Sequence, residues 1–420
     1  IGTRLALKIY KRFGNESIRV VRENPSAIHS LLFSEWNVKA DRIAQTLGFR
    51  ADSMERAQAG IIYALEQAAM GEGHCYLPVR KLVRRAAELL EVESAIVIEA
   101  LQKLLQTKLV ILENIDRCAE IEPARGEQES GPIARIIDEE EDDSPEHAVY
   151  LRSLLWPERD VAAKLTRMKS APSSLPPIKI ERAIQWAQHT IGIKLAAEQR
   201  DALRLALKER VLVITGGPGT GKTTLINCIS KIWRYKKVVL FLGAPTGRAA
   251  KRMSELTGLE AKTIHRMLEF SPKTGHFLRN EDNLLECDAI ILDEASMLDI
   301  SLMSSLLRAT PDHATLVLVG DVDQLPPVGP GNVLKDIIGS HVIPAVRLTQ
   351  IFRQARRSRI VINAHRVNAG LRPGLDPPEP GEESDFYFVE SDTLSDVLSA
   401  IKALVAERIP QKFGFDRIAG

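Results

Sequence analysis

Residues Val211-Leu-Val-Ile-Thr215 form a short apolar, largely β-branched run that passes into Gly216-Gly-Pro-Gly-Thr-Gly221 and resumes as Lys222-Thr223-Thr224. No other stretch limits the possible folds so tightly. The run suits a buried strand, the glycines suit a tight turn, and the residues that follow open a helical pattern. The spacing is that of G-x-x-x-x-G-K-[ST], a loop whose backbone N–H groups turn inward around phosphate oxygens while the following helix adds its positive dipole end. Gly217, Pro218, Gly219, Thr220, Gly221, Lys222, Thr223 and Thr224 are therefore the candidate nucleotide-binding residues. Lys222 would reach the β and γ phosphates, and the Thr223 hydroxyl would hold Mg²⁺ brought with ATP.

The rest of the chain is consistent with such a core set among further domains. At 420 residues, two to four domains are expected, and 45% apolar with 26% charged residues is a globular balance. A net charge of +1 means that any nucleic-acid contact has to come from local basic patches. Cys75, Cys118, Cys228 and Cys287 lie far apart with no C-x-x-C pair, against a zinc ribbon, an iron–sulfur site or a disulfide framework. That usage suits a reducing cytoplasm. No apolar run approaches the ~20 residues of a membrane span, so no membrane partner is expected. The chain opens on Ile1-Gly2-Thr3 without a signal-peptide pattern, and is read as a piece of a longer protein.

The first half reads as helical. Leu5, Ile9 and Phe13 recur at helical spacing, as do Ile62, Leu65 and Ala69, with Gly14 and Gly48 closing helical stretches. Residues 1–50 read as helical hairpins. Residues 51–118 read as a compact helical, winged-helix-like domain, residues 119–147 as an acidic linker around positions 138–143, and residues 148–194 as a helical connector. From there strands and helices alternate, with strand candidates at 211–215, 237–242, 288–292, 315–319 and 345–349, the pattern of a buried parallel sheet. Residues 195–341 are the expected first α/β domain. Residues 342–420 are the start of a second one, with a strand at 386–389 and a helix over 394–409.

Two further strand ends carry chemistry. Ala289-Ile-Ile-Leu292 delivers Asp293 and Glu294 at a carboxyl end, where ligands collect in open α/β sheets. Asp293 suits Mg²⁺ and Glu294 suits activation of the attacking water, although acidic groups there can also cap the next helix. Leu316-Val-Leu-Val-Gly320 leads into Asp321-Val-Asp-Gln324-Leu-Pro-Pro-Val328. There Gln324 could bond the γ-phosphate or the lytic water, or the turn could be purely structural. Pro245, Thr246 and Arg248 follow another strand end and suit a single-stranded nucleic acid, with His265 able to stack, though Arg248 and Lys251 also read as a solvated helix face. Residues 268–280 read as a hairpin with a Lys273-Thr-Gly275 turn and an aromatic, Phe277, at its tip.

The phosphate loop, Asp293-Glu-Ala-Ser296 and Gly320-Asp-x-x-Gln-Leu-Pro-Pro-Val328, in this order, resemble motifs I, II and III of superfamily 1 helicases. Within these the chain resembles the RecD-like (RecD/TraA type) DNA helicases of the 5′→3′ branch. Residues 195–203 resemble the Q motif, 243–251 motif Ia, and 348–354 motif IV. The resemblance implies two RecA-like lobes, ATP and Mg²⁺ as cofactors, and single-stranded DNA or a duplex junction as partner. It implies that Gln199 reads adenine and Arg353 approaches the γ-phosphate from the second lobe. It makes 268–280 a strand-splitting pin and 1–50 a helix–hairpin–helix region, from whose pattern residues 34–39 depart by lacking a glycine-rich turn. No later family motif appears after motif IV, so this polypeptide by itself is expected to bind nucleotide but unwind poorly. An ATPase module of a recombination nuclease or conjugative relaxase, and an ATP-gated DNA clamp, stay open beside the helicase.

Overall fold

The computed structural model describes residues 10–11, 14–17, 52–115, 147–351, 358–378 and 384–414. The described residues fall into two compact units, Ile1–Gly216 with Lys222–Thr349, and Gly217–Gly221 with Gln350–Gly420. Of the readings above, most of the helix–hairpin–helix region, the acidic linker and Arg353 lie outside the described residues.

The first unit opens with a small module: α1 (Met54–Glu72), β1 (Tyr76–Pro78), α2 (Val79–Leu90), α3 (Ser94–Gln106), β2 (Val110–Asn114) and β3 (His147–Leu151). Its strands pair antiparallel in the order β1-β3-β2, the connectivity of a winged helix. The helices bury Ile61, Leu65, Leu82, Leu101 and Leu104 against Leu77 and Val149, forming a core of their own. Here the structure corrects the expectation that residue 148 starts a helix. Ala148, Val149 and Tyr150 are buried as the central strand of the small sheet, with Tyr150 opposite both Tyr76 and Ile111. Its β-branched and aromatic run carried that strand signal.

After α4 (Arg152–Ser170), α5 (Ile180–Ile191) and α6 (Ala197–Ala206), the chain builds a six-stranded sheet. Its elements are β4 (Val211–Gly216), α7 (Lys222–Tyr235), β5 (Leu240–Ala244), α8 (Gly247–Thr257), β6 (Ala261–Thr263), α9 (Ile264–Met267), the hairpin β7 (Phe270–Ser271) and β8 (His276–Phe277), β9 (Ala289–Leu292), α10 (Ile300–Ala309), β10 (Thr315–Gly320), α11 (Val333–Gly339) and β11 (Ala345–Leu348). The sheet is parallel throughout, in the order β11-β4-β10-β9-β5-β6. Every residue of β4, β9 and β10 is buried, because helices cover both faces and no strand face is left for water. One core layer packs Val211, Val213, Ile290 and Leu316 against α4 and α10, and the other packs Leu212, Ile214, Ile291 and Val317 against α5 to α7. β5 begins at Leu240 rather than 237, because Lys237 adopts a left-handed conformation (φ 58°) that ends the preceding helical turn.

Arg210 anchors the amino ends of these strands. Its guanidinium donates to Thr315 Oγ1 at 2.8 Å, Ser173 Oγ at 3.1 Å, and the carbonyls of Ala314 and Asp312 at 3.2 and 3.3 Å. Arg210→Ala takes the donor from two buried acceptors, Thr315 Oγ1 and the Ala314 carbonyl, and should lower stability by roughly 2–3 kcal/mol. The midpoint of a urea titration reads that change directly.

The second unit carries α12 (Arg359–Asn368), α13 (Leu394–Ala403), a wider π-helical turn (Leu404–Arg408) and α14 (Ile409–Phe413). The strand expected at 386–389 does not form. Tyr387, Phe388 and Val389 are about half exposed, and no described strand lies beside them to take their backbone groups.

Candidate nucleotide site

The phosphate loop leaves β4 at Gly216. Gly219 (φ 76°) and Gly221 (φ 83°) both take left-handed conformations that other residues adopt only with strain, which explains glycine at these two positions. Thr220, almost fully buried, donates its hydroxyl to the Gly217 carbonyl at 2.8 Å and locks the turn. Lys222, Thr223 and Thr224 form the first turn of α7. The Lys222 ammonium donates to the Gly216 carbonyl at 2.5 Å, so its long side chain turns back to the end of β4.

The charges of three carboxylates from two neighbouring strand ends act on that ammonium. Burial lowers the Lys222 pKa, and the charges of Asp321, Glu294 and Asp293 oppose the shift. Burial raises the Asp293 carboxyl; the Glu294 N–H, donating to Asp293 Oδ1 at 2.9 Å, and the charge of Lys222 pull the other way. Burial also raises Glu294, aided by repulsion from Asp293 and Asp321. Glu294 sits in a left-handed conformation (φ 53°), a strained backbone for glutamate and a common mark of functional positions.

These shifts carry a stability consequence. A carboxyl whose folded pKa lies above its unfolded value makes the native state bind protons more tightly. Stability then falls as pH rises from the unfolded value through the folded one, and the penalty is complete above it. Glu294→Gln should therefore raise the thermal midpoint of the nucleotide-free protein at pH 8, by about 2–4 °C per kcal/mol relieved. The gain should vanish below about pH 4.5, where the unfolded carboxyl is itself protonated. Thermal melts across pH give the sign.

Asp321 is the residue that sequence reasoning passed over. It is 3% exposed, its carboxylate accepts the Asp323 N–H at 3.1 Å, and its charge acts on Lys222. The signal was available in the strand end preceding it, which matches that of Asp293. Gln324 lies in the same turn, its backbone N–H donating to the Asp321 carbonyl at 3.1 Å, and the residue is exposed. Arg347 on β11 ties the turn down through Asp323 at 2.7 Å.

The remaining expected residues divide. Gln199 is buried, and its Oε1 accepts the Ala196 N–H at 3.1 Å, capping α6. Its neighbour Glu198 accepts from Thr349 N at 2.8 Å and Thr349 Oγ1 at 2.6 Å, a tie between α6 and the end of β11 that the sequence did not suggest. Thr246 is the N-cap of α8, its hydroxyl accepting the Ala249 N–H at 3.3 Å, with Pro245 beside it and Arg248 exposed in the helix's first turn. Phe277 is not at the hairpin tip. The turn spans residues 272–275, whereas Phe277 pairs with Phe270 across β7 and β8 and packs against the main core. Its ring lies 5.2 Å from Phe270 and 5.5 Å from His265, an aromatic trio at the hairpin base. The correction follows from pairing register, since a residue two places beyond the turn glycine belongs to the ladder. In the second unit, His365 Nε2 lies 3.2 Å from the Pro218 carbonyl, and a Cβ on Gly217 would come within 2.7 Å of its ring.

The donor set suits Mg²⁺ arriving with a nucleotide. Among the described residues no three His, Cys, Asp or Glu are grouped to hold a metal alone. Mg²⁺ ordinarily takes one or two carboxylates, phosphate oxygens and water, which Asp293 and the Thr223 hydroxyl would complement. A cavity of about 1250 Å³ lies elsewhere, at the amino-end edge of the sheet, but its Lys164 and Arg308 are already paired with Asp312 and Glu281.

A parallel sheet with a glycine loop after an inner strand, and carboxylates at the ends of the adjacent strand and of the next one beyond it, defines a RecA-like P-loop core. A family model described as an AAA domain matches residues 199–330, and one described as the ATP-dependent RecD2 DNA helicase HHH domain matches residues 1–76. The chain is 31% identical over 335 residues to the ATP-dependent RecD2 DNA helicase of Deinococcus radiodurans, covering 80% of this chain and 43% of that protein. It is 36% identical over 185 residues to the RecBCD enzyme subunit RecD of Mycolicibacterium smegmatis, covering 38% of this chain and 33% of the relative. Among solved structures, the Pif1 helicase from Candida albicans matches with a TM-score of 0.34 at 25% identity, over 44% of this chain and 50% of that one. This chain belongs to the RecD-like superfamily 1 helicases. It spans less than half the length of the two curated relatives named here.

Proposed function

We propose that this chain carries the ATP-hydrolysing motor of a DNA helicase that translocates 5′→3′ on single-stranded DNA. The observation that carries the reading is the convergence of Lys222, Asp293, Glu294 and Asp321 at the carboxyl ends of β4, β9 and β10. The loop amides and Lys222 would hold the β and γ phosphates, and the Thr223 hydroxyl and Asp293 would hold Mg²⁺. Held there, Mg²⁺ would offset the negative charge of the phosphates. Glu294 takes the proton of the attacking water, a role favoured by a carboxyl tuned upward toward working pH. Gln324 orients that water or senses the terminal phosphate, and Arg353 supplies charge to the transition state. Pro245, Thr246, Arg248 and His265 offer phosphate and stacking contacts to a single strand, and the exposed turn at 272–275 is the leading edge of the pin.

The likeness to a RecBCD subunit gives a second reading some footing, in which the motor works inside a larger nuclease assembly. ATP hydrolysis measured with and without single-stranded DNA tests the motor reading. Strong stimulation by DNA is the expected result. A rate unmoved by DNA would leave a nucleotide-gated clamp, and oligonucleotides with a 5′ or 3′ overhang then read the polarity.

A further inference from the structure

Two strand ends that carry acidic groups converge on one short loop, and the small N-terminal module docks on that loop. From Asp321, at the end of β10, the chain runs through Gln324 and the rigid Pro326-Pro327 pair to Gly329-Pro330-Gly331. From Asp293 and Glu294, at the end of β9, it runs through a 3₁₀ turn (Ala295–Met297) to Asp299 and Ile300. The paths meet where the Ile300 N–H donates to the Pro330 carbonyl at 2.9 Å. There a Cβ on Gly329 would collide with the Asp299 carboxylate. On its other side the loop meets the module. The Gly331 N–H donates to the carbonyl of Gly73, the residue that closes α1, at 2.9 Å. Gly331 has φ +92°, and a Cβ there would stand 3.1 Å from Ile300 Cβ and 3.2 Å from Cys75 Sγ.

Glycine at 73, 329 and 331 brings backbone against backbone or against the first atoms of a side chain. No long, flexible side chain lies between to absorb a small displacement, so a shift of the loop is passed on to α1 and β1. The 3₁₀ turn on this path carries two local costs. Glu294 begins it in a strained conformation, and the buried Ser296 hydroxyl within it has no hydrogen-bond partner.

We infer that the α1–β3 module is a nucleotide-responsive element: occupancy of the phosphate loop, felt at Glu294 and Asp321, shifts Pro330 and Gly331 and changes how Gly73 and Cys75 dock. The inference rests on the nucleotide-site reading above. By thermodynamic linkage the docking in turn sets nucleotide affinity, which gives the module a regulatory role separate from any DNA contact.

Hydrogen exchange followed by mass spectrometry on the full chain, with and without a non-hydrolysable ATP analogue and Mg²⁺, tests this. The analogue should change exchange in the peptide over residues 73–78 by about fivefold or more, the lower end of ordinary allosteric coupling. In Gly331→Ala that response should disappear from 73–78, and analogue affinity should shift by a similar factor. A titration of the analogue on the same samples separates the two readings. Absent binding would sink the nucleotide site itself. Tight binding to the wild-type chain with unchanged exchange at 73–78 would overturn the coupling, and that comparison needs no variant to fold.

Discussion

Lys222→Ala is expected to abolish ATP turnover, lowering kcat on the order of 10³-fold or more, the range seen when a charge aimed at a transferring phosphoryl group is removed. Lys222 is the basic group whose charge interacts with all three of Asp293, Glu294 and Asp321, with Arg252 acting on the first two. Its loss leaves the negative charges of Asp293, Glu294 and Asp321 without this ammonium, so affinity for Mg·ATP should fall as well. The fold should survive, because the ammonium's hydrogen bond within the loop is to Gly216 rather than into the core. Steady-state ATPase assays, with far-UV circular dichroism to establish folding, give the result. Turnover unchanged by the substitution would mean that hydrolysis occurs at some other site.

Glu294→Gln should separate binding from chemistry. The amide keeps the size of the side chain but cannot accept the proton of the attacking water, so hydrolysis should drop by about 10²–10⁴-fold. Nucleotide affinity should hold or rise, because a negative charge beside the phosphates has been removed. The same variant is expected to be more heat-stable in the nucleotide-free state at pH 8, so activity and stability move in opposite directions. An equal loss of affinity and rate would instead place Glu294 among the groups that hold the nucleotide. A fluorescent ATP analogue for binding and single-turnover hydrolysis for chemistry distinguish the two cases.

The legible parts of this protein were those in which local sequence and local geometry are the same thing. A β-branched run ending in glycines has few conformations available, so β4, the phosphate loop and the start of α7 could be read directly. Asp293 and Glu294 could be read for the same reason, since a strand of Ala289–Leu292 has to release its next residues at the carboxyl edge. Elsewhere the pairing partner, near or distant in sequence, decided the outcome. Residues 147–151 are a strand because β1 and β2 flank them, while residues 386–389, with a similar apolar pattern, have no neighbouring strand among the described residues and stay irregular. Phe277 was assigned to the hairpin tip when the register with Phe270 places it at the base.

The sequence by itself determined the kind of core, the phosphate loop and the acidic strand ends, because strand, turn and helix signals there span only a few residues. Tertiary structure alone decided that Asp321 joins Asp293 and Glu294 around Lys222, since that requires β9 and β10 to lie side by side next to β4. It alone decided that Gly331 meets Gly73, a contact between residues far apart in the chain. Such contacts follow from strand order and helix packing, which depend on the whole buried core and on no single stretch of sequence.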